Sequence, residues 1–455
     1  MKKFFILLSV FYLAVSGSSA QTLITDFPTV DGVVYSVSEA DGILYIGGLF
    51  SAVGGVPRRN LAAISMNNYE VLPWSPVCDS TVRTIRVING TVYICGLFRQ
   101  VNGTGRNTLA ALDPQTGSLK SWNPQITFPG IPGLQLGNIC TIDGNDTTLF
   151  IGGYFLTVDG VPRMNLTALD LAGHVPAWWS YTQGSYPVNH VTLSGGTLYV
   201  DYVFGFYGLD LITQQKTGWN PNPTINVGGF TSLFCDAGRI YIAGPFEYIG
   251  SAHHPYIAQT SAINGVTSNW DAGFTFLGTP SFDHISSMTR IKERLVVAGG
   301  FQANTSQAFD YIALYDTVAG VASQWNPIPD GPVWTTCTLD GMLLLGGEFS
   351  EVSGQSQPGL ALYDFTTGTP GPAPVKKIRC YPNPADEQLT VFNEGEDISR
   401  IQIINSAGVV MKSISTNQKE RSISLNVSFL PAGLYYFRFL NDKNDRIASE
   451  KIIIL

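Results

Sequence analysis

Short stretches of alternating apolar and polar residues recur along the chain, and none keeps the 3.6-residue period of an amphipathic helix. Gly, Asn, Asp and Pro punctuate them, which is the composition of tight turns between strands. One strand returns again and again with an ending of small residues and Phe. It reads LYIGGLF at 44–50, VYICGLF at 92–98, LFIGGYF at 149–155, LYVDYVF at 198–204, IYIAGPF at 240–246, LVVAGGF at 295–301 and LLLGGEF at 343–349. The closing residues Phe50, Phe98, Phe155, Phe204, Phe246, Phe301 and Phe349 lie 42 to 57 residues apart, the spacing of propeller blades.

Around each Phe the same parts follow in the same order. An extended segment such as VRTIRVING at 82–90 precedes the recurring strand, and a loop and a third strand such as NTLAALD at 107–113 come after it. A fourth stretch carries Trp74, Trp122, Trp179, Trp219, Trp270 or Trp325. Four short strands per unit predict one antiparallel blade. Gly48, Gly96, Gly153, Gly244, Gly299 and Gly347 stand two residues before the Phe. Glycine inside a strand marks a bulge or a close backbone approach, here expected between neighbouring sheets. Unit four departs from the pattern with Asp201 and Tyr202. Unit seven lacks a Trp stretch after GLALYDFTTG at 359–368, and TLITDFP at 22–28 is placed to supply the missing strand. Such a strand closes the ring and removes its free edges. The expected fold is all-β, with a seven-bladed β-propeller over 21–368, a linker at 369–374 and a second domain over 375–455.

VNGTGRNTLAALD at 101–113 and VDGVPRMNLTALD at 158–170 give the units a further signature. With the recurring GG-x-F strand they resemble the delta-60 type of β-propeller repeat. The resemblance covers about 30–368 and implies a propeller without implying a reaction.

Beyond Val375 the pattern changes. IRCYPNPADEQLTVF at 378–392, SRIQIINSAGVVM at 399–411, RSISLNVSFLPAGLYYFRF at 421–439 and KIIIL at 451–455 are short alternating segments that predict an immunoglobulin-like sandwich. Tyr381-Pro382-Asn383-Pro384, Leu430-Pro431-Ala432-Gly433-Leu434-Tyr435 and the last strand with Lys451 together resemble the type A C-terminal sorting domain of the type IX secretion system. That resemblance implies translocation across an outer membrane by this machinery in a Bacteroidetes-type host. It also implies removal of the domain and, often, attachment to surface lipopolysaccharide.

Composition sharpens this picture at the other end. Lys2 and Lys3, the apolar run Phe4 to Val15 and the small residues Ser18-Ser19-Ala20 read as a signal peptide over 1–20, cleaved before Gln21. No later run has transmembrane length, so the expectation is a secreted or outer-surface protein. Only 13% of the 455 residues are charged and the formal net charge is −8. No Lys/Arg cluster follows a phosphate backbone, which argues against nucleic acid as a partner. The six cysteines have irregular spacing and no CxxC pair, so isolated thiols are expected, with disulfide pairing left open.

Candidate chemistry is sparse. No GxSxG, HExxH, P-loop or dinucleotide fingerprint occurs, and no catalytic residue, metal or cofactor is assigned. Asp143-Gly144-Asn145-Asp146 reads as an acidic turn before it reads as a calcium loop. Arg58, Arg106, Arg163, His254, Phe309 and Gln357 stand eight residues after their Phe, in the loop between second and third strands. In unit four that loop is nine residues shorter, because Leu209 follows Phe204 by five residues while Leu112 follows Phe98 by fourteen. A notch is expected there, flanked by Arg163 and His254 and approached by Asp201 and Tyr202. These four are the candidate ligand-binding residues. Two function classes fit. One is a binding or adhesion module for a glycan or protein ligand. The other is a secreted polysaccharide hydrolase or lyase, which clustered carboxylates would favour where an aromatic or neutral rim favours binding.

Overall fold

The structure is a computed structural model that describes residues 21–129, 138–225, 232–236, 238–274, 284–304, 308–366, 378–393, 398–405, 410–416, 421–442 and 446–455. The proposed signal peptide and linker lie outside the described residues.

Each unit forms an antiparallel sheet in which the recurring strand is central. Its inner neighbours are Val30–Ala40, Val82–Ile88, Asn138–Gly144, Val188–Ser194, Ser232–Asp236, Ile285–Ile291 and Val333–Leu339. The third strands are Leu61–Ser65, Leu109–Leu112, Leu166–Asp170, Gly205–Asp210, Ile257–Ser261, Ala308–Asp316 and Leu360–Asp364. Each inner strand packs against the inner strand of the next unit, and Val333–Leu339 packs against Val30–Ala40. The inner strands therefore form a closed circuit. Thr22–Leu23 adds a short fourth strand to unit seven, with Thr22 opposite Asp364 and Leu23 opposite Tyr363.

The glycine two residues before the Phe has a different reason from the one expected. A Cβ on Gly48 would lie 2.0 Å from the Val33 carbonyl oxygen, and one on Gly347 would lie 2.1 Å from that of Pro332. Both oxygens belong to the inner strand side of the same sheet, where register shifts mark a bulge. Contact with the neighbouring sheet falls one residue earlier. A Cβ on Gly47 would meet Val82 Cγ1 at 2.7 Å, on Gly152 Val188 Cγ1 at 2.5 Å, and on Gly346 Val34 Cγ1 at 2.9 Å. Those valines lie near the start of the next unit's inner strand, so this second column sets how closely the sheets stack.

The position ten residues after the Phe completes the device. Asn60, Thr108, Asn165, Tyr256, Tyr311 and Gly359 all take positive φ there, a region that costs most side chains energy. Asn60 N–H donates to the Phe50 carbonyl while its own carbonyl accepts from Gly48 N–H, both at 3.1 Å. The same pair recurs around Phe98, Phe155, Phe246 and Phe349. Bulge, glycine and Phe are thus one feature of the backbone.

The fourth stretches differ from the expected strands. They touch the third strand through single bridges such as Ile64↔Val71, Leu112↔Leu119 and Tyr315↔Ala322. The chain then leaves the sheet to bury Trp edge-on against the aromatic of its own recurring strand. Trp74 meets Tyr45 at 5.2 Å, Trp122 meets Tyr93 at 5.2 Å and Trp270 meets Tyr241 at 5.4 Å, contacts worth about 0.5–1.5 kcal/mol beyond their buried area.

In the C-terminal region, Ile378–Tyr381, Gln388–Asn393 and Ser422–Asn426 form one sheet. Val410–Ser415, Arg400–Asn405, Gly433–Leu440 and Arg446–Ile454 form another, and one core of Leu389, Val391, Ile401, Phe437 and Ile452 joins them. The sorting-motif residues converge on the last strand. Asn383 Oδ1 accepts from Ile453 N–H at 2.9 Å, Gly433 pairs with Ile454, and Lys451 pairs with Tyr436. The Tyr435 hydroxyl donates to the Pro431 carbonyl at 2.9 Å.

Candidate functional site

Unit four is where the ring departs from its own rules. Thr197–Tyr202 turns into Gly205–Asp210 through Val203 and Phe204 alone, without the hairpin that the other units extend. Elsewhere that hairpin supports the incoming chain: Thr157–Val158 pairs with Ile126–Thr127, and Phe246–Ile249 pairs with Pro223–Ile225. Phe204 is consequently not an anchor. It is 48% exposed where Phe98 and Phe155 are fully buried, and Phe206 turns inward in its place.

The connection from Trp178 to Pro187 fills part of the gap with aromatic residues. Tyr186, 52% exposed, meets Phe204 edge-on at 4.9 Å. Tyr202 lies 5.8 Å from Tyr207, and Tyr207 lies 6.2 Å from Tyr181. The Tyr207 hydroxyl donates to Gln183 Oε1, and the Tyr181 hydroxyl points to the same oxygen at 3.5 Å. Lys216 Nζ stands 4.3 Å above the Tyr207 ring. Burial raises the pKa of Tyr181, Tyr202 and Tyr207, so all three remain neutral phenols. The result is a wall of rings with polar tips.

The four residues singled out in the sequence take other places. Arg163 spends its guanidinium on the carbonyls of Pro162 at 2.8 Å and Trp179 at 2.9 Å. Arg58 and Arg106 do the same to Pro57 and Leu72, and to Gly105 and Lys120. The arginine column therefore ties each loop to its fourth stretch. His254 is 7% exposed, its N–H donates to the Glu247 carbonyl at 3.0 Å, and burial lowers its pKa. Asp201 is fully buried, with Asn189 Nδ2 at 3.5 Å from Oδ1. Only Tyr202 joins the aromatic wall. The sequence reading misses Tyr181, Gln183, Tyr186 and Tyr207, although WWSYTQGSYP at 178–187 and DYVFGFY at 201–207 advertise an aromatic density unmatched elsewhere in the repeat.

Asp201 has a counterpart. It occupies the column of Gly47, Cys95, Gly152, Ala243, Ala298 and Gly346, and directly opposite stands His190. His190 in turn replaces the Ser or Thr of every other unit, whose hydroxyl in units one, three and six accepts from the next inner strand. Ile85 N–H donates to Ser36 at 3.2 Å, Val191 N–H to Thr141 at 3.3 Å, and Thr336 N–H to Ser287 at 3.0 Å. Asp143 makes a contact of the same kind between inner strands: it accepts from Leu193 N–H at 2.7 Å, and burial raises its pKa. Asn145 Oδ1 caps its own turn through Thr147 and Thr148 N–H. Asp143 and Asn145 thus face different tasks, not one calcium loop.

Burial, with Arg86 adding to it, brings the His190 pKa down to about 4 from an unfolded value near 6.5. The unfolded chain therefore takes up the proton first as pH falls. Stability from this group is complete above about pH 6.5 and declines toward pH 4. Urea midpoints of His190→Thr, which restores the column, are expected to lose this slope. Identical slopes for parent and variant would exclude His190 as its source.

Residues 379–455 match the family described as the secretion system C-terminal sorting domain. The chain is therefore secreted by the type IX secretion system, to the cell surface or the extracellular space. No curated protein sequence matches the chain. Among solved structures it is similar to the extracellular domain of a one-component system of B. thetaiotaomicron, with 13% identity and a TM-score of 0.47 over 96% of this chain. The chain spans 59% of the length of that domain. It is also similar to the Neurospora crassa Pan2 WD40 domain (13% identity, TM-score 0.44, 75% of this chain and 91% of that one). BamB from Moraxella catarrhalis gives 14% identity and a TM-score of 0.39, over 73% and 86%.

Proposed function

We propose that the chain is an exported binding or adhesion module, a seven-bladed β-propeller closed by its N-terminal strand and carried by an immunoglobulin-like sorting domain. Its ligand meets the notch of unit four. One observation carries this reading: the unit that lacks its hairpin exposes Tyr186 and Phe204 at the place where its neighbours are covered. Concave surfaces framed by loops on a rigid scaffold are where ligands are held. Arg163 belongs to the frame of the site, tying the unit-three loop to its fourth stretch, and His254 is buried in the unit-five hairpin on the other side.

The aromatic lining favours binding over hydrolysis. Glycoside cleavage needs two carboxyl groups flanking the bond. Asp201 is buried within the ring, and Asp210 accepts from Ile212 and Thr213 N–H in its own turn.

Glycan and protein arrays probed with the full chain test the proposal. The retained ligand is expected to bind Phe204→Ser more weakly and Arg58→Ala normally. Arg163→Ala and Arg58→Ala are expected to cost similar stability, about 1–3 kcal/mol, because each leaves carbonyls without their donor. Equal affinity of parent and Phe204→Ser for every ligand retained would overturn the notch.

A further inference from the structure

We infer that the notch of unit four takes a neutral glycan, bound by stacking of sugar rings on Tyr186 and Phe204 and by hydrogen bonds to Gln183. This rests on the notch being the binding site and adds the chemical class of what it binds.

Three features select that class. First, the exposed surface is aromatic, and the C–H face of a pyranose is an apolar patch that packs against aromatic rings. Tyr186 and Phe204 are 52% and 48% exposed, and their edge-on contact at 4.9 Å presents two differently inclined faces. Rigid rings of this kind lose little conformational entropy on binding.

Second, the wall ends in neutral hydrogen-bonding groups. Gln183 Oε1 collects the hydroxyls of Tyr207 and Tyr181, which fixes the amide and leaves its NH2 as the donor pair. A purely apolar ligand would leave such groups unpaired at a cost; a hydroxylated one satisfies them.

Third, the charges nearby are already committed. Arg163 is held by two carbonyls, Lys216 lies over Tyr207, and Asp201 is buried. Lys216 and, on the flanking hairpin, Glu247 are exposed, but each already faces a partner, the Tyr207 ring at 4.3 Å and His253 Nε2 at 3.6 Å, so a ligand's charge gains less here than its apolar faces gain on Tyr186 and Phe204.

The test uses the full chain and two panels. One holds soluble neutral oligosaccharides (glucan, mannan, galactan and xylan fragments), the other acidic polysaccharides and peptides of both charges. At least one neutral oligosaccharide is expected to bind saturably, with affinity nearly constant between about 0.05 and 0.5 M salt, because no exposed ion pair is made. Phe204→Ser and Tyr186→Ala are each expected to weaken it by about tenfold, or about 1.4 kcal/mol. Both rings are half-exposed, so neither change threatens folding.

If a charged ligand binds instead and loses affinity in Phe204→Ser, the notch stands and the neutral-glycan inference falls. If a neutral glycan binds but ignores both substitutions, the site is elsewhere and the notch itself is refuted. If nothing in either panel depends on Phe204, both fall.

Discussion

Removal of residues 21–28 is expected to lower the melting temperature of the whole ring in one cooperative step. Thr22 and Leu23 pair with Asp364 and Tyr363, and Ile24 N–H donates to the Leu362 carbonyl at 2.9 Å. Phe27 is 2% exposed in a core shared by units one and seven, with Val30, Val34, Val53, Leu344 and Leu360. Gln357 Nε2 donates to the Phe27 carbonyl at 2.9 Å. Gln357 stands in the arginine column, so unit seven uses an amide where units one to three use a guanidinium. Loss of Phe27 alone is worth about 3–5 kcal/mol. The open edge of Leu360–Asp364 adds a hazard of association with other chains. Calorimetry of the deletion variant checks this. An unchanged ring transition would show that the segment only decorates a ring closed by other contacts.

Gly48→Ala and Gly347→Ala are expected to destabilise by about 3 kcal/mol or more. The added methyl would meet the carbonyl oxygens of Val33 and Pro332 at 2.0 and 2.1 Å. Those atoms are backbone, held by the bulge, and can move only if the register beside Phe50 or Phe349 is lost. Gly105→Ala is the control. No atom lies within 4 Å of where its Cβ would stand, so it is expected to be neutral or slightly stabilising through the unfolded chain. Denaturant midpoints of the three variants settle the comparison. Equal loss at Gly105 would point to glycine's backbone freedom alone, not to the bulge.

Much of this fold is legible because its signal is periodic. The short apolar run of LYIGGLF and its six relatives, bounded by turn residues, gives strands directly, and the tail's motifs give its family. What was not legible depended on contacts across the sheet. Gly47 and Gly48 are adjacent and alike in the sequence, yet one faces the neighbouring sheet and the other its own inner strand. A pleated strand sends neighbours to opposite faces, but the bulge opposite Gly48 decides which backbone comes close. The column of Asn60, Thr108, Asn165, Tyr256, Tyr311 and Gly359 shares a backbone conformation and no chemistry, so composition could not reveal it. At the notch, the loop deletion was countable, whereas the identity of its lining was not. The charged residues Arg163 and His254 drew attention for their chemistry. The structure commits them to backbone and burial, and gives the exposed surface to Tyr186 and Phe204.

The pairing of Thr22 with Asp364 also sets a schedule. These partners stand near opposite ends of the ring's sequence, so the strand made first waits for the strand made last before the circuit can shut. Contacts of such separation form late. The entropic cost rises only by about 0.6 kcal/mol for each doubling of the loop, and the intervening sheets, once stacked, bring the two ends together. Until then Leu23 lacks its partner strand and Phe27 has only its neighbours in unit one, Val30, Val34, Val53 and Tyr69. A chain that stops short of unit seven remains open at both ends, however well its earlier sheets have formed. Closure therefore waits on Leu360–Asp364, and the sorting domain follows directly on the residues that shut the ring.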